Sequence, residues 1–356
     1  LDGEVGQHIN GRWYGSYYGW TWPHGWHSIG QAIGIASENA AVLNRDANYM
    51  AFFRSQIDVL SERGIEAKGI LHVPMKYGTP GKVNYIPGSW LRWPLTNEDG
   101  TALQKDGWFE FAPMHQADPA HLWQATCDRA DYRRAVALRK KDATDRDLFA
   151  INAWHHTKDQ GGRDGAWLAY IHGEFPEYPE TILRYNLRQM FRRLTFMHRD
   201  RKDPNTYGDS YFQRRNPVTC EGLVELTCGG PLPLYNGGLL HVAVRHFDPA
   251  RQRPGLPPDV AALVSKRTDD MIQLTLVNLS GGESREVVVQ AGGMGEHAFT
   301  AADWRQGRNR RDRRIDGRYV RFVLPPVSEI TVKLGMRRYA NTPSYALPWQ
   351  AENAGR

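Results

Sequence analysis

Cysteine is scarce in this chain: Cys127, Cys220 and Cys228 are the only three in 356 residues. An odd count with no close pair excludes both a disulfide framework and a zinc cage. The apolar-periodic surroundings of Cys127 and Cys220 read as those of small buried hydrophobes. Long apolar runs are missing too, so no segment reaches the length of a membrane span and no membrane partner is expected. Nothing near Leu1 has a basic head followed by an apolar stretch. Gly-x-Ser-x-Gly, a phosphate loop and a dinucleotide fingerprint are all absent, which removes serine hydrolases, P-loop NTPases and the common nicotinamide oxidoreductases. No cofactor is expected. The adjacent pair His155-His156 points to different sides of a helix and cannot easily share one ion, so no metal is expected either.

What remains is the composition of a folded, basic, aromatic protein. Hydrophobic residues make up 41% and charged residues 24%, so disorder is not the default. The net charge is +6, with basic runs at residues 308–314 and 192–202. No nucleic-acid-binding motif accompanies this charge, so nucleic acid is not expected as a partner. An acidic carbohydrate fits charge and aromatic content together. A solvated basic face is the plainer reading of the same Arg runs.

The richest stretch is residues 8–27, His-Ile-Asn-Gly-Arg-Trp-Tyr-Gly-Ser-Tyr-Tyr-Gly-Trp-Thr-Trp-Pro-His-Gly-Trp-His, which holds four of the twelve Trp. Gly and Pro punctuate it too often for a regular element. Flat rings with polar tips on Gly-shaped loops suit stacking on sugar faces and hydrogen bonding to hydroxyls. The same rings could instead plug the end of a helical bundle.

The chain changes character near residue 237. Before it, helical spacing appears at 28–43, 47–63, 119–127, 129–141, 145–156, 178–198 and 218–227. Asp46 is the N-cap of the second of these, Phe52, Phe53, Ile57 and Leu60 point inward, and Gly64 stops it. A loop-rich segment at 76–113 carries Trp90, Trp93 and Trp108. After Gly237-Gly238 the period becomes two, with strands expected at 239–247, 261–265, 271–278, 285–290, 297–301, 319–324 and 329–334. Ile272, Leu274 and Leu276 share one face while Gln273 and Thr275 share the other. The expected architecture is multidomain α + β: an α/α toroid or an incomplete one over 1–236, an antiparallel β-sandwich over 237–338, and an irregular tail over 339–356.

Three segments gather chemistry. The opening run supplies Arg12, Trp13, Tyr17, Tyr18, Trp20, Trp22, His24 and His27. A helix end supplies Trp154 and His155. A loop supplies Tyr207, Tyr211, Arg214, Arg215 and Asn216. A glycoside hydrolase needs two carboxylates across the scissile bond; the acids nearest to aromatic loops are Glu174, Glu177, Glu180, Asp209 and Glu221. Glu177 and Glu180 read equally well as first-turn helix acids. The opening run has no acid beyond Asp2 and Glu4. A polysaccharide lyase needs a different kit. Arg, Asn or protonated His neutralises the uronate carboxylate, and Tyr or His moves the C5 and O4 protons. A Tyr base also needs cations that lower its pKa. On this chemistry Tyr18, His24, Tyr207, Tyr211 and Arg215 are the catalytic candidates. Arg12, Trp13, Tyr17, Trp20, Trp22, His27, Trp154, His155, Arg214 and Asn216 are the substrate-binding ones.

The pattern Gly11-Arg-Trp-Tyr-Gly-x-Tyr-Tyr-Gly-Trp20, followed by the helix bearing Asn39-Ala-Ala-Val-Leu43 and then by strands, resembles bacterial α/α-toroid polysaccharide lyases. Within them it is most similar to the group cleaving a rhamnose–glucuronate linkage. The resemblance implies β-elimination on a uronic-acid glycan and a secreted or periplasmic location. A full toroid has about a dozen helices and about six to eight are visible here. On this resemblance the toroid is partial or helices precede Leu1. A glycoside hydrolase and a non-catalytic glycan-binding protein are the alternatives. Linkage, endo or exo action and oligomeric state are left open by the residues.

Overall fold

A computed structural model describes residues 7–9, 12–14, 25–73, 76–77, 95–109, 111–113, 118–142, 164–208, 211, 215–231, 238–306 and 309–353. Two short strands, β1 (Gln7–Ile9) and β2 (Arg12–Tyr14), pair antiparallel and lead to the helices α1 (Gly25–Asn44) and α2 (Met50–Arg63). Asp46 caps the intervening 3-10 turn, its side chain accepting from the Asn48 amide at 2.8 Å. In α2, Phe53 and Ile57 are buried as their spacing requires, but Phe52 is exposed rather than inward.

Two short strands, β3 (Ile65–Ala67) and β4 (Ile70–Val73), follow α2, and the expected loop segment contributes β5 (Lys76–Tyr77), β6 (Gln104–Lys105), β7 (Trp108–Phe109) and β8 (Ala112–Pro113). They form two small sheets, β3-β4-β8 and β5-β7-β6. Next come α3 (Asp118–Thr126) and α4 (Arg129–Arg139), the latter capped by the Asp128 carboxylate on the Ala130 amide at 2.6 Å. The helix expected at 145–156 lies outside the described residues. The helix α5 (Asp164–Ile171) has no counterpart in the sequence pattern, for a physical reason. Residues 165–171 are buried all round, so no polar face sets a period. The long helix α6 (Tyr178–Arg199) follows, with Pro in its first turn and His198 and Arg199 in its last.

The helix expected at 218–227 is α7 (Glu221–Cys228). Its start is delayed because the Asn216 side chain accepts from the Val218 amide at 3.0 Å, holding a turn. It ends at Gly229 with φ 69°, where a Cβ would lie 2.7 Å from Val264 Cγ1, so glycine is required twice over.

From here the described chain is mostly strand: β9 (Val244–Asp248), β10 (Arg253–Pro254), β11 (Val260–Arg267), β12 (Met271–Asn278), β13 (Arg285–Ala291), β14 (Ala298–Gln306), β15 (Asn309–Gly317), β16 (Tyr319–Leu324) and β17 (Ser328–Arg337). They make two antiparallel sheets, ordered β10-β9-β13-β16 and β11-β12-β17-β14-β15. Burial in β12 alternates residue by residue, with Ile272, Leu274 and Leu276 inside. The run expected as a solvated basic stretch is the strand β15; with Arg or Asp at six of its nine positions it carries no hydrophobic alternation to announce it. The tail is not wholly irregular, since α8 (Pro348–Asn353) lies in it. Two cysteines also differ from expectation: Cys220 is exposed and Cys127 is only partly buried.

One apolar cluster spans helices and strands. Trp123, Trp167, Tyr178, Tyr185 and Leu226 share it with Val264, Ile272, Leu274, Val287, Val289, Phe299 and Phe322. A smaller cluster, with Ala41, Phe53, Ile57, Leu71, Leu122 and Leu138, ties α1, α2, β4, α3 and α4 together.

Candidate functional site

Of the opening run, Arg12 and Trp13 lie on β2, paired in register with Ile9 and His8, and His27 lies in the first turn of α1. Tyr17, Tyr18, Trp20, Trp22 and His24 fall outside the described residues, as do Trp154, His155, Arg214 and Asp209.

The loop after α6 is the better described candidate. Tyr207 and Tyr211 stack with centroids 3.8 Å apart at 21°. The Arg215 guanidinium lies 4.6 Å above the Tyr211 ring, and its Nε is 3.2 Å from Asp200 Oδ2. The Asp200 carboxylate sits at the C-terminal end of α6, where it also accepts from the Lys202 amide at 3.1 Å. The Tyr207 hydroxyl donates to the Lys202 carbonyl at 3.2 Å. The loop is held from beneath by Arg193, which is buried in α6 and donates to the Asn216 carbonyl at 3.0 Å. Asn216 itself shapes the turn into α7.

Desolvation, the Tyr211 hydroxyl and the nearby Asp200 carboxylate push the Tyr207 hydroxyl up to about 12. This is the opposite of what a Tyr base needs. Tyr207 stays protonated at ordinary pH, and its chemistry is that of a proton donor. Sequence reasoning missed Asp200, because an Asp closing a helix carries no motif of its own.

The acids of the hydrolase alternative are held elsewhere. Glu174 accepts from the Tyr132 hydroxyl and lies 3.9 Å from Arg139. Glu180 pairs with Arg184 one turn along the same exposed helix face. Glu221 is buried in the first turn of α7.

A second polar constellation, invisible in the sequence, joins the helices to the strands. Glu38 of α1 lies 2.9 Å from His121 of α3 and 3.8 Å from His241, all three buried. Burial opposes the Glu38 charge, but the two imidazoles outweigh it and hold the carboxyl below its usual range. Asn39 Oδ1 accepts from the Leu239 amide at 3.2 Å. Gln124 donates to the His241 carbonyl at 2.7 Å and receives Arg267, which also lies over the Trp123 ring. Beside them Arg338 and the Tyr339 hydroxyl close on the Ala125 carbonyl. A cavity of about 10 Å³, room for one water, lies among Gln124, His241, Arg267, Glu296, His297 and Arg338. Through Glu38 and Asn39 these contacts anchor the C-terminal half of α1.

Among the described residues no group of three His, Cys, Asp or Glu is arranged to hold a metal, and no helix is long and apolar enough to cross a membrane. No curated protein and no solved structure matches the chain. Residues 1–224, covering the helices, the small sheets and the Tyr207–Asn216 loop, match one family model. The chain therefore belongs to the family described as "Domain of unknown function (DUF8034)".

Proposed function

We propose that the protein is a lyase that cleaves a uronic-acid-containing glycan by β-elimination, with a rhamnose–glucuronate linkage as the first substrate to try. The observation that carries this reading is the Tyr207–Tyr211 stack with Arg215 above it, a partly exposed surface of rings, hydroxyls and a guanidinium. In the reaction a base removes the C5 proton, the C4–C5 double bond forms and the C4–O4 bond breaks, while an acid protonates O4. Tyr207, held protonated, suits the acid. The base is assigned to Tyr211 or to Tyr18 or His24 of the opening run. Arg215 and Arg12 would stabilise the charge that develops on the uronate carboxylate. The architecture on this reading is a partial α/α toroid followed by a β-sandwich. Its supports are the helix pairs α1–α2 and α3–α4 and the two antiparallel sheets that share one core.

The hydrolase reading, on Glu174 or Asp209, is the weaker one, since Glu174 is tied to Tyr132 and Arg139 and Glu180 to Arg184, while Asp209 lies outside the described residues. The test is the absorbance of an unsaturated uronate product on incubation with rhamnose–glucuronate glycans and with glucuronan. A rise that Tyr211→Phe and Arg215→Ala reduce supports the reading. No rise with any uronic-acid glycan overturns it, and release of reducing ends without the unsaturated product points to hydrolysis.

A further inference from the structure

The strand β15 is the outermost of its five-stranded sheet, paired with β14 on one side and with no described strand on the other. Its sequence Asn-Arg-Arg-Asp-Arg-Arg-Ile-Asp-Gly puts Arg310, Asp312 and Arg314 on one face and Arg311 and Arg313 on the other. All four Arg are exposed. Across the sheet Arg310 stands opposite Arg305, Asp312 opposite Asp303, and Asp303 opposite Lys333. Arg305, Arg310, Arg311, Arg313, Arg314 and Lys333 thus give six cationic side chains against the three carboxylates of Asp303, Asp312 and Asp316.

Two of the three acids are already engaged. Arg310 grips Asp303 at 2.7 Å, and its hydrogen bond holds that carboxyl below the usual range. Asp316 pairs with Arg337 at 3.2 Å. Arg311, Arg313 and Arg314 form no ion pair among the described residues. Charge on an edge strand does blunt pairing with another chain, but that purpose does not call for an excess of one sign. Nine residues of extended strand give a strip about 30 Å long. Along its outer side no described strand pairs with the backbone N–H and C=O groups.

We propose that this strip is a second binding site for the acidic polysaccharide, apart from the reacting loop. Guanidinium groups take the carboxylates or sulfates, bidentately where geometry allows. The backbone groups of the outer side take sugar hydroxyls. The proposal rests on the reading of the substrate as an acidic glycan. A phosphate backbone would also be drawn to this charge, but single-strand recognition stacks bases on aromatic rings set among the cations, and β15 has none. Trp304, opposite Arg311, is turned edge-on to Phe322 at 5.7 Å. Holding a polymer here raises its concentration at the reacting loop without any new contact there.

The test uses the full chain and its Arg311→Ser/Arg313→Ser/Arg314→Ser variant, whose altered side chains are exposed, with an unchanged thermal transition as the fold control. The probe is labelled glucuronan at low and moderate salt. The expected result is a loss of affinity of about tenfold or more with a flatter salt dependence. On polymer KM rises, whereas turnover of a short oligosaccharide is unchanged. Unchanged affinity in the variant overturns the proposal. So does displacement of glucuronan by single-stranded DNA or polyglutamate of equal length at equal or lower concentration. Strip-dependent binding without unsaturated product would sink the lyase reading alone. Product formation with undiminished polymer binding in the variant would sink the strip alone.

Discussion

Glu38 on α1 and His121 on α3 meet 2.9 Å apart with both side chains sealed from water. His241 lies on the other side of the same carboxylate at 3.8 Å, and brings in the chain that leads to β9. Three segments far apart in sequence are thus pinned by one buried carboxylate. Removing it takes away the carboxylate that His121 Nδ1 and His241 Nε2 both face. Glu38→Ala is expected to cost about 3–5 kcal/mol, with Glu38→Gln costing less because its amide oxygen still accepts. Denaturant unfolding monitored by fluorescence measures both.

Acid stability should report on His246. Its Nε2 donates to the Thr227 carbonyl at 2.7 Å, and burial pushes its pKa down to about 4 from the ordinary 6.5. The unfolded chain therefore binds a proton between these values that the folded chain refuses. Stability from this group is fully present above pH 6.5 and is lost as pH falls toward 4. The whole effect is roughly 3 kcal/mol. His246→Gln removes the titration, so its Tm should fall less steeply across that window than the wild-type Tm. Equal slopes would show that other groups control acid unfolding.

Trp123 binds the helices to the sheets. It packs edge-on to Trp167 at 6.1 Å and to His172 at 4.8 Å, with the Arg267 guanidinium at 5.7 Å. Trp123→Ala is expected to cost about 3–5 kcal/mol. Trp123→Phe, which keeps a ring beneath Arg267, should recover more than half of that loss in thermal unfolding.

Two glycines mark the closest backbone approaches. A Cβ on Gly293 would stand 2.2 Å from the Leu240 carbonyl oxygen, and one on Gly230 would stand 2.4 Å from that of His241. Neither obstacle is a flexible side-chain tip. Gly293→Ala and Gly230→Ala should each destabilise by about 1–3 kcal/mol or more, whereas Gly281→Ala, with open space around it, should be close to neutral. Melting temperatures of the three variants settle the comparison.

For the proposed chemistry, Tyr207→Phe should lower kcat far more than it raises KM, since the ring stack survives while the hydroxyl is lost together with its hydrogen bond to the Lys202 carbonyl. Arg193→Met should instead raise KM and loosen the loop, because the Asn216 carbonyl loses its donor. Steady-state kinetics on the same glycan separates the two roles.

The regular parts of this fold were legible wherever one face is buried and the other wet. The strands β12 and β16 and the helices α2, α4 and α6 follow their periods closely. Legibility failed where that contrast vanishes: α5 is apolar on every side, and β15 is charged on both. The rings of the 207–211 loop were conspicuous as residues, but the upward shift of Tyr207 comes from desolvation first, then from Tyr211 and from Asp200, which is seven positions earlier and unmarked. Glu38, His121 and His241 are single residues separated by tens of positions, and nothing in one dimension links them.

The large apolar cluster ignores the point at which the sequence changes character. Leu226 and Tyr178 pack in the same interior as Val264 and Ile272. A helical piece cut away at residue 224 or 236 would carry a wide greasy wall where the sheets had been, and the sheets would carry its mirror image. Such halves are expected to cling to anything apolar, including each other. Mixed together, they have the makings of a split protein, whose recovery of shape would itself announce that the two had met.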